Sequence, residues 1–538
     1  MKKIVVRNFR SLENTDEIII KPLTVLVGKN SVGKSTFLRM FPLFKQSLGI
    51  DRSEPLLWYS PELVDFGSFK ETVFEQDTKR SIEFEFEFEI ETKQFFPVLI
   101  FSSRFGPRYF PIIDFKEKED IYCDINLKIS INEKRISKFS FSIFDYNYEI
   151  QTNTQSEIVS FTINGIKNPI NKKFDKLNSF LAKKILPEIS LSLENKKFAN
   201  SSSMKKIKTY EDEINQLLEQ QLSRVKNGRI SEKRIYEIID SIKFDTKKKF
   251  SDSFTNELGK IKTMKKIFET FNKKEQEDFL EYLYILNGFK YVNLAMELIN
   301  SYIYDYFENV QYIAPIRASA QRYYRIQGLS MSDITPQGEN VPMILNNMKY
   351  EEKKDWNKWT DENFGVKFDV IESEANLSLK LIKNDHEINL ADTGFGYSQL
   401  LPILLYAWKA SKEKNKENIG FNKFSSNIKT LVIEQPELHL HPALQATLVD
   451  IFIDIISRLD KMNFFILMET HSEYMINRIG QHIALTNYNL AEDDVNILLF
   501  DEKNNKNRIR QTKFAREGYL KNWPIDFFLP DYVSGVRK

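Results

Sequence analysis

Cysteine is almost absent from this chain, which holds one, Cys123. A single thiol excludes an internal disulfide and a zinc site built on cysteines, and it suits a reducing compartment. Histidine is scarce too, with five in 538 residues. No charge of one sign dominates. Lysine and arginine number 77 against 75 aspartates and glutamates, a net charge of +2. Bulk electrostatics therefore do not mark a nucleic-acid binder. No apolar run approaches the roughly 18–20 residues that a membrane helix requires, so no membrane association is expected. Met1-Lys2-Lys3 leads into a strand-like segment, not an apolar signal core, and a cytoplasmic protein is expected. The length, with 42% hydrophobic residues, allows two or three packed cores.

Against this background one stretch stands out: Gly28-Lys29-Asn30-Ser31-Val32-Gly33-Lys34-Ser35, followed by Thr36. It fits G-x-x-x-x-G-K-[ST], the phosphate-binding P-loop. Thr24 to Val27 read as a short buried strand before it, and Thr36 to Met40 open a helix after it. Glycines let backbone N–H groups turn inward around a polyphosphate, and the helix N-terminus adds its positive end. Lys34 is expected on the terminal phosphates and the Ser35 hydroxyl on Mg²⁺. Asn30, Ser31, Gly33 and Thr36 complete the cradle. Pro42 is expected to kink or end the following helix.

The rest of the chain divides by periodicity. Residues 80–165 are β-rich. Ile82 to Ile90 alternate phenylalanine with glutamate, the pattern of a strand with one buried face and one solvated face. Further strands are expected near 97–101, 122–130, 139–149 and 156–163, forming an antiparallel side sheet. Residues 193–206 read as a polar linker. From about 205 to 310 apolar residues recur at helical spacing, as in Ile214, Leu217, Leu218 and Leu222, among many lysines balanced by acids. Three divisions result: an N-terminal lobe at 1–192, an inserted helical lobe at 193–309, and a C-terminal lobe at 310–538. Arg317, Arg322 and Arg325 suit either a phosphate contact or structural ion pairs.

Three later segments complete the pattern. Asp392-Thr393-Gly394-Phe395-Gly396-Tyr397-Ser398-Gln399 precedes an apolar helix, so glycines and a serine again meet a helix N-terminus. Ile428 to Ile433 form an apolar strand ending in Glu434-Gln435-Pro436-Glu437. A carboxylate at the end of such a strand is the Walker B arrangement, in which Glu434 holds Mg²⁺ or its water shell. Asn463 to Met468 form another, ending in Glu469-Thr470-His471-Ser472, with His471 where a γ-phosphate sensor would stand. His439 and His441 have no further ligands at zinc spacing.

Taken in order, these segments resemble the ABC-type AAA ATPases of the RecF/Rad50/OLD branch. The resemblance implies an α/β fold: an ABC-type P-loop ATPase head with an antiparallel β side sheet and an inserted helical lobe. It implies ATP and Mg²⁺ as cofactors and a homodimer or higher even oligomer that sandwiches ATP. In that arrangement Gly394, Gly396, Ser398 and Gln399 of one subunit contact the nucleotide held by the P-loop of the other. Glu434 is then the Walker B acid and His471 the switch histidine, with Gln76 the candidate for the family's glutamine lid. The family usually places a glutamate directly after the Walker B acid to polarise water. Here Gln435 stands there, and an amide orients water without accepting its proton.

Asn8 to Ser11, Phe66 to Phe69, Pro315 to Arg317 and the segment from Gly518 to Phe528 are similar to the PtuA-type ATPases of Septu and of some retron anti-phage defence systems. That likeness implies an ATPase without its own nuclease, partnered by a separate HNH nuclease of PtuB type, with DNA or a retron nucleic acid as a further partner class. The alternative is a RecF-like or SMC-like repair ATPase that clamps DNA directly.

Overall fold

The computed structural model describes residues 1–91, 100–102, 106–108, 122–177, 180–191, 209–228, 230–326, 333–412, 428–459, 463–486, 489–503 and 506–523. The linker read at 193–206, the start of the strand near 97–101 and the tail at 524–528 lie outside these residues. The chain forms two compact units. The first comprises Met1–Val5, Ile50–Pro55 and Thr78–Tyr304, and the second Val6–Gly49, Leu56–Asp77 and Asp305–Lys538. This division differs from boundaries at 192 and 309. The side sheet and the helical segment share one unit, and the P-loop belongs with the C-terminal half.

The first unit is built on an antiparallel sheet. Ile82–Glu91, Tyr122–Asn132, Arg135–Ile143, Tyr146–Thr152, Ile158–Ile163 and Ile166–Lys167 pair in sequence order. Phe84, Phe86 and Phe88 are fully buried, while the intervening glutamates face lysines. Lys3 Nζ lies 2.9 Å from Glu87, and Lys2 Nζ 3.3 Å from Glu89. The apolar face needs a cover, and the helical segment supplies it. Tyr146 stacks on Tyr284 of the helix Lys273–Lys290 with centroids 4.2 Å apart, and the Tyr148 hydroxyl donates to the Gly288 carbonyl at 2.9 Å. A Cβ at Gly288 would lie 2.7 Å from the Tyr146 ring, so the missing side chain sets this approach. The described segments on either side of the polar stretch near 193 therefore belong to one unit.

The second unit carries β1 (Leu23–Gly28), α1 (Lys34–Leu48), β2 (Val310–Ile313), α2 (Phe395–Lys412), β3 (Lys429–Glu434), α3 (Pro442–Arg458), β4 (Phe464–Glu469), α4 (Glu473–Ala484), β5 (Val495–Lys503) and β6 (Lys506–Thr512). Its sheet has the order β2-β3-β4-β1-β5-β6, parallel except for β6. Every residue of β1 and β4 is buried. Such continuous apolar strands are what a parallel sheet covered on both faces demands. Val25, Val27, Ile433 and Met468 join one core with Leu404, Ile453 and Ile479 from α2, α3 and α4. On α1, Phe44 stacks on Phe307 at 4.7 Å. Pro42 does not end α1, which runs on to Leu48 with most of its residues buried; packing outweighs the lost backbone bond. No helix among the described residues is long and apolar enough to cross a membrane.

This topology sets the ends of β1, β3 and β4 side by side. Those ends are Gly28, Glu434 and Glu469, at the carboxyl edge where parallel sheets place their ligands.

Candidate functional site

The loop from Gly28 to Gly33 turns because its residues tolerate unusual backbone angles. Gly28 has φ +152°, and a Cβ there would sit 2.2 Å from the Phe500 carbonyl of β5. Gly33 has φ +101° and stands immediately before α1, while Ser31 lies at φ 65°. No side chain caps α1 at Gly33, so its leading N–H groups are left to an external acceptor. An anion is the natural one.

Lys34 is buried, 3% exposed. Its Nζ donates to the carbonyls of Gly28 at 3.1 Å and Lys29 at 2.6 Å. Burial holds its ammonium below the usual lysine range, with Glu469 opposing that shift. Lys34 Nζ stands 3.7 Å from Glu469 Oε1, and the Ser35 hydroxyl donates to Glu469 Oε2 at 2.7 Å. Burial pushes the Glu469 carboxyl up from its usual value. A cavity of about 190 Å³ opens here, lined by the loop from Asn30 to Thr36 except Val32, and by Ser11, Gln435 and Glu469. That is room for a phosphate chain, below the roughly 300–1,000 Å³ of pockets that enclose whole ligands.

The site residues expected from sequence thus fall into groups. The P-loop residues and Gln435 share the cavity. Gln435 is held there at φ 45°, its N–H donating to the Glu469 carbonyl at 2.8 Å. His471 follows β4, with Nε2 3.9 Å from Glu469 Oε1 and its backbone N–H donating to Glu437 Oε1 at 2.7 Å. Burial and then Lys34 lower its basicity, which favours a neutral imidazole.

Glu434 is elsewhere engaged. Arg39 of α1 forks onto its two oxygens at 2.8 and 2.9 Å, and the Tyr312 hydroxyl of β2 donates at 2.6 Å. Glu434, expected to hold Mg²⁺ or its water shell, thus has Arg39 and Tyr312 as its partners, and the carboxylate beside Ser35 is that of Glu469. Arg39, one helical turn beyond Ser35, draws the Glu434 carboxylate to itself.

Gly394, Gly396, Ser398 and Gln399 do not line the cavity. Ser398 is buried at the start of α2, its hydroxyl donating to the Phe395 carbonyl at 2.9 Å. Gln399 clamps the backbone of Arg317 with both ends of its amide, at 3.2 and 2.8 Å. Gly394 has φ +78° and open space around it, and Gly396 approaches the His439 carbonyl.

The arginine cluster separates likewise. Arg317 is buried and points its guanidinium at the carbonyls of Ala314, Glu434 and Gln435, and burial lowers its pKa to about 10. Arg322 pairs with Asp392 at 2.6 Å on the surface. The His439–His441 segment has a local explanation: His441 caps α3 through Nδ1, with Pro442 in the first turn. Gln76 sits in the turn Phe74–Gln76, outside the cavity.

Sequence reasoning missed Ser11 and Glu469 at the cavity, and Arg39 and Tyr312 around Glu434. Glu469 carried the same signal as Glu434, a carboxylate ending an apolar strand. Arg39 carried none, because its partner lies 395 residues away.

The donor set fits the group that such a loop implies. A buried ammonium, an uncapped helix start and glycine backbone suit phosphates. A hydroxyl against a carboxylate suits a hard divalent cation. When bound, that cation would neutralise phosphate charge. Strand, P-loop, helix and parallel sheet together define an α/β P-loop ATPase fold, accompanied by an antiparallel side sheet. The chain belongs to the AAA ATPase domain family, whose profile matches residues 1–476. No curated protein matches its sequence. Among solved structures, an SMC head bound to the C-winged helix domain of ScpA is similar at 11% identity, with 95% of this chain and 98% of that one covered and a TM-score of 0.34. The SMC head domain from Thermotoga maritima is similar at 9% identity, with 95% and 97% covered and a TM-score of 0.32.

Proposed function

We propose that the protein binds ATP with Mg²⁺, hydrolyses it slowly, and uses it to hold a homodimer or higher even oligomer. In this reading Lys34, the loop backbone and Thr36 take the phosphates, and Ser35 takes the cation. Gly394, Gly396 and Ser398 face the γ-phosphate of a nucleotide held by a second copy, and His471 senses that phosphate. The observation that carries the reading is Gln435 at the P-loop cavity, where a carboxylate would be needed to accept a proton from water. An amide at that place favours a long-lived ATP state.

The assembly so held is proposed to be the regulatory subunit of a prokaryotic anti-phage complex that restrains a separate HNH nuclease. Support comes from the resemblance of Asn8–Ser11, Phe66–Phe69, Pro315–Arg317 and the C-terminal segment to PtuA-type ATPases. Such control requires the nuclease to bind the two nucleotide states with different affinity.

The test is ATP turnover of the pure protein beside Gln435→Glu, with oligomer size read in the same samples. Slow turnover that rises in Gln435→Glu, with an ATP-dependent dimer, is expected. Wild-type turnover of ~1 s⁻¹ or more, unchanged by the substitution, would overturn the slow clamp. Strong, salt-sensitive DNA binding that ATP increases would instead favour a DNA clamp.

A further inference from the structure

β3 and β4 are parallel and in register, with Glu434 directly opposite Glu469. Neighbouring residues in register point to the same face of a sheet, so two carboxylates stand together at one edge. Both are almost wholly buried, at 1% and 3% exposure. Like charges so placed require separate neutralising partners.

Helix α1 supplies both, and it supplies them differently. Glu434 receives the full fork of Arg39 and the Tyr312 hydroxyl, three close hydrogen bonds. A divalent cation brought to that carboxylate would meet the fixed guanidinium charge at once. Glu469 receives one close hydrogen bond, from Ser35, and looser approaches from Lys34 and His471. It lines the cavity that the P-loop surrounds, which Glu434 does not. Lys34, moreover, is the residue an arriving phosphate would attract. Once it turns to phosphate, Glu469 loses its nearest positive charge and keeps a hydroxyl oxygen beside it.

We infer that Glu469, together with Ser35, holds the divalent cation of the nucleotide, directly or through its water, and that Glu434 braces the sheet edge against α1 and β2. The carboxylate that does the work of the Walker B position is then carried on β4 instead of β3. This inference rests on the ATP-binding reading above.

The experiment is calorimetric titration of ATP into the full chain at stepped Mg²⁺ concentrations, for wild type, Glu469→Gln, Glu469→Asp and Glu434→Gln. In wild type, Mg²⁺ should tighten ATP binding with a definite midpoint. Glu469→Gln should raise that midpoint about 10- to 100-fold, the usual effect of losing a group that orients a metal, while ATP still binds without metal. Glu469→Asp keeps the charge and shortens the reach, and should raise the midpoint less. Glu434→Gln should shift it far less than Glu469→Gln. An unmoved midpoint in both Glu469 variants, or an equal shift in Glu434→Gln, would overturn the assignment while leaving ATP binding intact. Absence of ATP binding by wild type would instead overturn the nucleotide reading, and this assignment with it.

Discussion

Arg39 and Glu434 show how much one pair can decide. Glu434 has no water to turn to, and its charge is tolerable because a guanidinium fork and a phenol hydroxyl surround it. Arg39→Ala should therefore destabilise the protein by about 2–3 kcal/mol, at the low end for breaking a buried pair because the arginine side chain is itself 34% exposed. Urea unfolding of the variant checks this. Adding Glu434→Gln should recover part of the loss, because the orphaned charge disappears with it; no recovery would mean that the arginine acts through packing. At this scale the sequence was legible where chemistry is local. The P-loop, Gln435 and His471 each sit in short strings whose spacing has a mechanical reason. The exchange of places between Glu434 and Glu469 was not legible. It depends on which carboxylate a distant arginine reaches, and no short window contains both.

Among elements, the parallel strands were readable as apolar runs and the side sheet as an alternation of phenylalanine and glutamate, because burial on two faces or on one leaves those two patterns. Helix α1 does not end at Pro42, one of the two outcomes expected there, because tertiary packing carries it on to Leu48. The segment Asp392–Gln399 was read as one anion-binding end. In the single subunit Gly394 lies at the turn before α2 and Gly396 in the first turn of that helix, Ser398 is buried at its start, and Gln399 bonds the backbone of Arg317. Close backbone approaches were also invisible beforehand. Gly480 of α4 lies so near Gly518 that a Cβ would stand 2.2 Å from the Gly518 carbonyl. Gly480→Ala should cost about 1–3 kcal/mol, since neither backbone can yield without disturbing α4. A thermal melt of that variant, set beside alanine at Gly259, where nothing lies within 4 Å, separates crowding from any general effect of replacing helical glycine.

For the molecule as a whole, two compact cores predict two calorimetric transitions. MgATP should raise the transition of the unit containing Gly28 to Lys34, by about 2.7 kcal/mol at 100 times its dissociation constant. The transition that contains the side sheet should move little by comparison. A single transition shifted as one block would mean that the cores unfold together. The two-unit division itself was the least legible property. Three separate segments of the chain make up the first unit, and the polar stretch near 193 suggested a border where the covering helices in fact complete a core.

The in-register carboxylates at the ends of β3 and β4 impose a reciprocity on ligands. Helix α1 balances this acidic edge with one fixed cation, Arg39, and one recruitable cation, Lys34. Nucleotide that takes Lys34 for its phosphates raises the demand for metal, and metal that settles at Glu469 frees Lys34 for phosphate. Each ligand thereby increases the other's affinity by the same factor, as linkage requires. On the metal assignment proposed above, the site would act as a coincidence detector for nucleotide and metal, built from the spacing of two basic residues along one helix.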